Sequence, residues 1–154
     1  MPTTKTGDEQ LRWFVVRIDL PDGATGTGVL VAPGWVLTCA HVVEGCDVVS
    51  VVPDRDAAPD GTRAAVPPQV SAQVRERSEA RDVSFESAFW PFPDLALLEL
   101  DGWIDHVCAP LTSDKPVHGS EPHAWGFGRR EEGVVSPGSA ALFRYVGVDG
   151  DGYL

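Results

Sequence analysis

Apolar and polar residues alternate along much of the chain in short runs, and most runs end at glycine or proline. Residues 12–20, RWFVVRIDL, form a β-branched and aromatic run that predicts a strand. PDGATG follows as a turn. TGVLVA and WVLTCA lie on either side of Pro33 and Gly34, the pattern of a β-hairpin. Residues 47–53, DVVSVVP, predict another strand, and 54–68, rich in Pro, Asp, Ala and Gly, predict a surface loop. QVSAQVRER alternates weakly, as a strand with one wet face does. Residues 84–101 begin irregular and aromatic, then tighten into LALLEL, bounded by Pro93 and Gly102, which predicts a buried strand. PHAWGFG and AALFRYVGV predict two further strands, separated by the loop RREEGVVSPGS. No repeat, low-complexity tract or amphipathic helix interrupts this pattern. Short strands closely spaced by Gly and Pro turns predict an all-β sandwich or barrel.

Composition supports that reading. The chain has 154 residues, enough for one domain with a real core or two small halves. Its 16 Gly and 13 Pro favour turns over helices. Residues 1–10 are polar and expected to fray. Pro, Gly, Ser and Asp recur over 102–121, making this the expected connection between a first unit, 11–101, and a second, 122–154. A net charge of −11 leaves no basic stripe for phosphates, which excludes a nucleic acid or an anionic membrane surface as partner. No run approaches the roughly 18 apolar residues of a membrane span. MPTTKTGDEQLRW lacks the charged and apolar regions of a signal peptide. Three cysteines, Cys39, Cys46 and Cys108, without an export signal, read as reduced thiols of a cytoplasmic protein. Cys39 and Cys46 are close enough in sequence to bridge across a bend, so a disulfide between them stays open.

His41 stands where the second hairpin strand ends and a loop begins, a place from which a side chain projects over a rigid scaffold. Asp94 directly precedes LALLEL, at the rim of the expected core. A carboxylate there needs partners. A histidine whose ring N–H points at it is a natural one: the pairing sets the tautomer, leaves the other ring nitrogen as a base and stabilises the imidazolium. The plain alternatives are a half-exposed histidine bonded to a carbonyl and an aspartate in a turn.

GTGVLVAPGWVLTCAHVV together with FPDLALLEL resembles the trypsin-like, chymotrypsin-fold serine peptidases, especially the compact bacterial ones. The resemblance covers roughly residues 11–148. It implies two antiparallel β-barrels, His41 as general base and Asp94 as its orienting carboxylate, with a polypeptide as substrate and no cofactor or metal. Thr38 and Ala40 match the usual neighbours, while Cys39 stands where alanine is common. HAWGFG is similar to the strand that opens the second barrel, with Ala124 in place of a usual glycine. Gly26 and Gly28 are expected where the backbone packs closely at a barrel bend.

The nucleophile is missing from this pattern. No G-x-S-G occurs in the chain. Ser139 follows Pro137 by two residues, and proline has no N–H to give an oxyanion hole. Ser113, Ser120 and Ser136 lack the glycine that should follow. By spacing, the serine is expected beyond Leu154. The expectation is thus a complete first barrel, a second barrel that is incomplete, and no turnover by the chain alone. A C-terminal continuation or a second chain would supply the serine. Open barrel edges predict self-association. The alternative is a protease-like binding or regulatory module without chemistry.

Other constellations carry less. Cys108, His118 and His123 fit no compact zinc spacing. Cys39 and His41, two apart on a strand, would lie about 6–7 Å from each other, too far to pair without a bend. Asp149 and Asp151 lack the downstream glutamate of a calcium loop. Trp13, Trp35, Trp90, Trp103 and Trp125 read as packing residues. Residues 75–81 read as a solvated face.

Overall fold

The computed structural model describes residues 11–53, 69–79, 93–103, 105–114, 117, 119, 121, 123–127 and 139–142. The expected loops at 54–68 and 129–138, the aromatic stretch 84–92 and the end of the last expected strand lie outside these residues. Six strands close into an antiparallel barrel: β1 (Val15–Asp19), β2 (Thr25–Ala32), β3 (Trp35–Thr38), β4 (Val48–Pro53), β5 (Val70–Arg77) and β6 (Ala96–Leu100). Around the barrel they run β1-β2-β3-β6-β5-β4. Two further strands, β7 (His123–Gly126) and β8 (Ser139–Leu142), form a separate antiparallel pair.

Period-two alternation decides which side chains enter the barrel. Val16 and Ile18 from β1, Leu30 from β2, Val36 from β3, Val49 and Val51 from β4 and Leu98 from β6 are buried in one core. LALLEL is buried on one face only: Ala96, Leu98 and Leu100 point inward, while Leu95 is 51% exposed. The weakly alternating β5 has its wet face as expected. A register shift between Val74 and Glu76 falls there, and Arg75 pairs with Glu99 of β6 across the outer wall at 2.5 Å.

The β2–β3 turn is the expected one at Pro33 and Gly34, with Gly34 at φ 78°, a conformation glycine adopts without strain. Both polar groups of Gly34 are used. Its carbonyl accepts from Leu100 N–H at 2.8 Å, and its N–H donates to Nε2 of His106 at 3.0 Å. The segment after β6 therefore lies along the first barrel, and Ala109 N–H donates to Leu30 O at 2.7 Å to hold it there.

His106 accepts through Nε2, so its neutral ring carries the proton on Nδ1, facing Val107 O at 3.4 Å. Burial holds this imidazole below its ordinary value. The unfolded chain thus takes up the proton first as pH falls, and stability drops from about pH 6.5 downward as folding comes to oppose protonation. Urea unfolding at pH 7.5 and 5.5 should show this loss in the native chain. His106→Ala should cost about 1 kcal/mol at the higher pH, the worth of one hydrogen bond, and flatten the dependence in this window. An unchanged slope in the variant would assign the acid sensitivity to other groups.

Candidate active site

After Thr38 the chain does not run on as a loop. It turns into a short 3-10 helix, Ala40–Val43, and His41 lies in it. This corrects the expectation that His41 ends a strand. The sequence around it has no helix-capping side chain, and four residues are too few to show a helical period. The turn is held from outside instead. Arg77 of β5 donates from Nη1 to Val43 O at 3.3 Å, and Ala40 and Val43 are buried. Val42 rests on Gly26 of β2, where any Cβ would collide with its side chain.

Asp94 is brought to the same end of the barrel by the β3–β6 ladder, which pairs Thr38 with Ala96. Its neighbour Leu95 is clamped to Ser78: Leu95 N–H donates to Ser78 Oγ at 3.1 Å, and Ser78 N–H donates to Leu95 O at 2.8 Å. The Asp94 carboxylate then meets His41 twice. Oδ2 lies 2.6 Å from the ring Nδ1, and Oδ1 accepts the His41 backbone N–H at 3.0 Å. The double contact sets both the ring and the peptide that carries it. Half of the His41 side chain is exposed, against 22% of Asp94, so the ring is open to solvent and the carboxylate is largely covered.

The bend after Thr38 also corrects the expected separation of Cys39 from His41. Ligand atoms of Cys39, His41 and Asp94 all lie within 4.8 Å of one another. Burial pushes the Cys39 thiol up from its ordinary value, and the Asp94 carboxylate pushes it further by its charge and hydrogen bond. The thiol stays protonated at neutral pH, unlike an activated nucleophile. Cys39, Cys46 and Cys108 are all free, so no Cys39–Cys46 bridge is present.

Of the serines considered, Ser113 is exposed on the connection and Ser139 opens β8 opposite Gly126. Ser120, Ser136, His118, Trp90, Asp149 and Asp151 lie outside the described residues. Cys108 sits 3.6 Å from His106 Nδ1, a neighbour that spacing did not single out. The second sheet meets the barrel through Thr27. Its hydroxyl accepts Phe127 N–H at 2.9 Å, and its carbonyl accepts the buried Thr38 hydroxyl at 2.8 Å. Arg12 lies over the Trp125 ring, 5.2 Å from its centroid.

A closed six-stranded antiparallel barrel joined to the strands of a second unit, with a histidine–carboxylate pair at its rim, is the chymotrypsin-like architecture. The trypsin-like peptidase domain family matches residues 26–152, and the chain belongs to that family. Solved structures agree on the fold. The Rv3671c protease in its inactive form matches with a TM-score of 0.60 at 18% identity, over 94% of this chain and 61% of that one. A second structure of Rv3671c, from M. tuberculosis H37Rv, matches with a TM-score of 0.55 at 20% identity, over 88% and 52%. The scabies mite inactivated protease paralogue S-I1 matches with a TM-score of 0.59 at 23% identity, over 95% and 68%. The chain thus spans about three fifths of the first of these structures. No curated protein matches it. Among the described residues, no helix is long and apolar enough to cross a membrane.

Proposed function

We propose that this chain carries the base half of a serine endopeptidase, with His41 as general base and acid and Asp94 as its orienting carboxylate. The observation that carries the reading is the double contact from Asp94 to Nδ1 and to the backbone N–H of His41. A carboxylate on Nδ1 keeps the ring proton there, so in the neutral ring the lone pair is on Nε2. Nε2 can then take a proton from a serine hydroxyl as it attacks a peptide carbonyl, and return it to the leaving amine. Asp94 stabilises the imidazolium between these steps. The serine and its oxyanion hole come from outside these 154 residues, since no G-x-S-G occurs in them. The substrate is a polypeptide, and the acyl-enzyme forms on that serine. Residues 11–101 make the barrel that holds the dyad, 102–121 connect, and 122–154 belong to the second barrel. The setting is cytoplasmic.

Two measurements on the chain test this. Nitrogen-15 NMR of the histidine rings should find the neutral His41 proton on Nδ1. A proton resident on Nε2 would remove the base. A fluorophosphonate probe should leave no serine adduct on the folded chain. A stoichiometric adduct that disappears in His41→Ala would show that the nucleophile lies within these residues.

A further inference from the structure

We propose that Cys39, His41 and Asp94 together bind one soft divalent transition-metal ion of the zinc class, and that the bound ion switches the base off. The second half rests on the reading of His41 as the base; the first does not.

A thiol, an imidazole and a carboxylate converge here, with ligand atoms all within 4.8 Å of one another. Zinc bonds of about 2.0–2.3 Å to such ligands place neighbouring donors roughly 3.3–3.6 Å apart. The Nδ1–Oδ2 pair, now 2.6 Å apart, has to open by roughly 0.7–1 Å, and the wider edges, up to 4.8 Å, have to close by at most roughly 1.2–1.5 Å. The half-exposed His41 ring has room for that movement. Oδ1 keeps the His41 backbone N–H, so the carboxylate remains anchored while Oδ2 turns to the ion. Thiolate and carboxylate together offer two negative charges to a divalent ion. Sulfur and imidazole nitrogen favour zinc-like ions over magnesium or calcium, which prefer shells of oxygen. Three protein ligands leave a fourth position for water.

The protons balance without electron transfer. The Cys39 thiol releases its proton to solvent as the metal–sulfur bond forms. The ring proton moves from Nδ1 to Nε2, because Nδ1 gives its lone pair to the metal. With Nδ1 ligated and Nε2 protonated, neither ring nitrogen can accept the serine proton. Metal binding and general-base action are mutually exclusive at this site.

Cobalt(II) titrated into the 154-residue chain should give a one-to-one complex with a thiolate-to-metal charge-transfer band and tetrahedral ligand-field bands. Zinc should displace it, and magnesium and calcium should not. Cys39→Ser should abolish the charge-transfer band and weaken binding by more than the ~10–100-fold that loss of an outer-shell partner costs. Cys46→Ser and Cys108→Ser should leave the band in place. In the unsubstituted chain, zinc should protect Cys39 from alkylation, a readout that needs no variant to fold. A missing sulfur band, a band retained in Cys39→Ser, or a Cys39 that zinc does not protect would each overturn the site. The NMR spectrum separates the two halves. With zinc bound, the His41 proton should sit on Nε2; a proton still on Nδ1 with Nε2 unligated would overturn the switch and leave the dyad standing. A proton on Nε2 in the metal-free chain would instead sink the dyad, while the cobalt spectrum still decides the metal site.

Discussion

On the proposed reading, Asp94→Asn is expected to lower kcat for peptide hydrolysis about 10⁴-fold in a form of the protein that holds the serine. The reason lies in the two acceptors that Asp94 offers. The His41 backbone N–H can only donate, so it claims the one oxygen of an asparagine. The amide nitrogen is left facing Nδ1, where the carboxylate oxygen now sits at 2.6 Å. An NH₂ group there donates to Nδ1 and drives the ring proton onto Nε2. The geometry survives and the tautomer is wrong. The same variant should show its ring proton on Nε2 by nitrogen-15 NMR, with KM little changed. A loss of less than tenfold, or a ring proton still on Nδ1, would mean that Asp94 does not orient the base.

The second large effect is on the barrel. Gly28→Ala should destabilise the chain by about 1–3 kcal/mol, because one methyl has nowhere to go. A Cβ on Gly28 would lie 2.5 Å from Val36 Cγ1, 3.1 Å from Ile18 Cδ1 and 3.2 Å from Val16 Cγ2. All three neighbours are fully buried. Urea unfolding should show a lower midpoint at an unchanged slope. Removing the obstacle with Val36→Ala should return part of the loss, and the coupling between the two changes should reach roughly 0.5–3 kcal/mol. Simple additivity would mean that β1 yields to the methyl and β3 does not. Gly28 also pairs with Thr38 in the β2–β3 ladder, so a β3 pushed outward carries Cys39 and the His41 turn with it.

Much of this arrangement is legible in the chain. The strands declare themselves because a barrel wall has one dry face and one wet face, and runs such as VVRID and ALLEL carry that alternation. The Pro33 and Gly34 turn shows through its residue types. His41 and Asp94 stand out because each adjoins a strong strand signal. The 3-10 turn does not show, since it is stabilised by Arg77 and Gly26, distant in sequence. For the same reason Cys39 reads as too far from His41: spacing along a straight strand misses the bend. His106 escapes notice altogether. Its partner is a backbone N–H in a turn 72 residues away, and no motif marks such a contact.

The strand order of the barrel bears on how the dyad comes into being. β6 lies between β3 and β5, and β5 is itself joined to β4, so the last strand in sequence closes the ring. Its partners in β3 are far upstream, and such long-range pairing forms slowly because a large loop must be ordered before its contacts form. Asp94 directly precedes β6, and 53 residues separate it from His41. The two meet only when β6 docks. A chain still emerging from the ribosome, or caught part-way through folding, holds a histidine with no carboxylate on its ring. On the proposed reading of His41 as the base, docking of β6 is the event that completes the dyad, and only after it can the chain take a proton from a nucleophile.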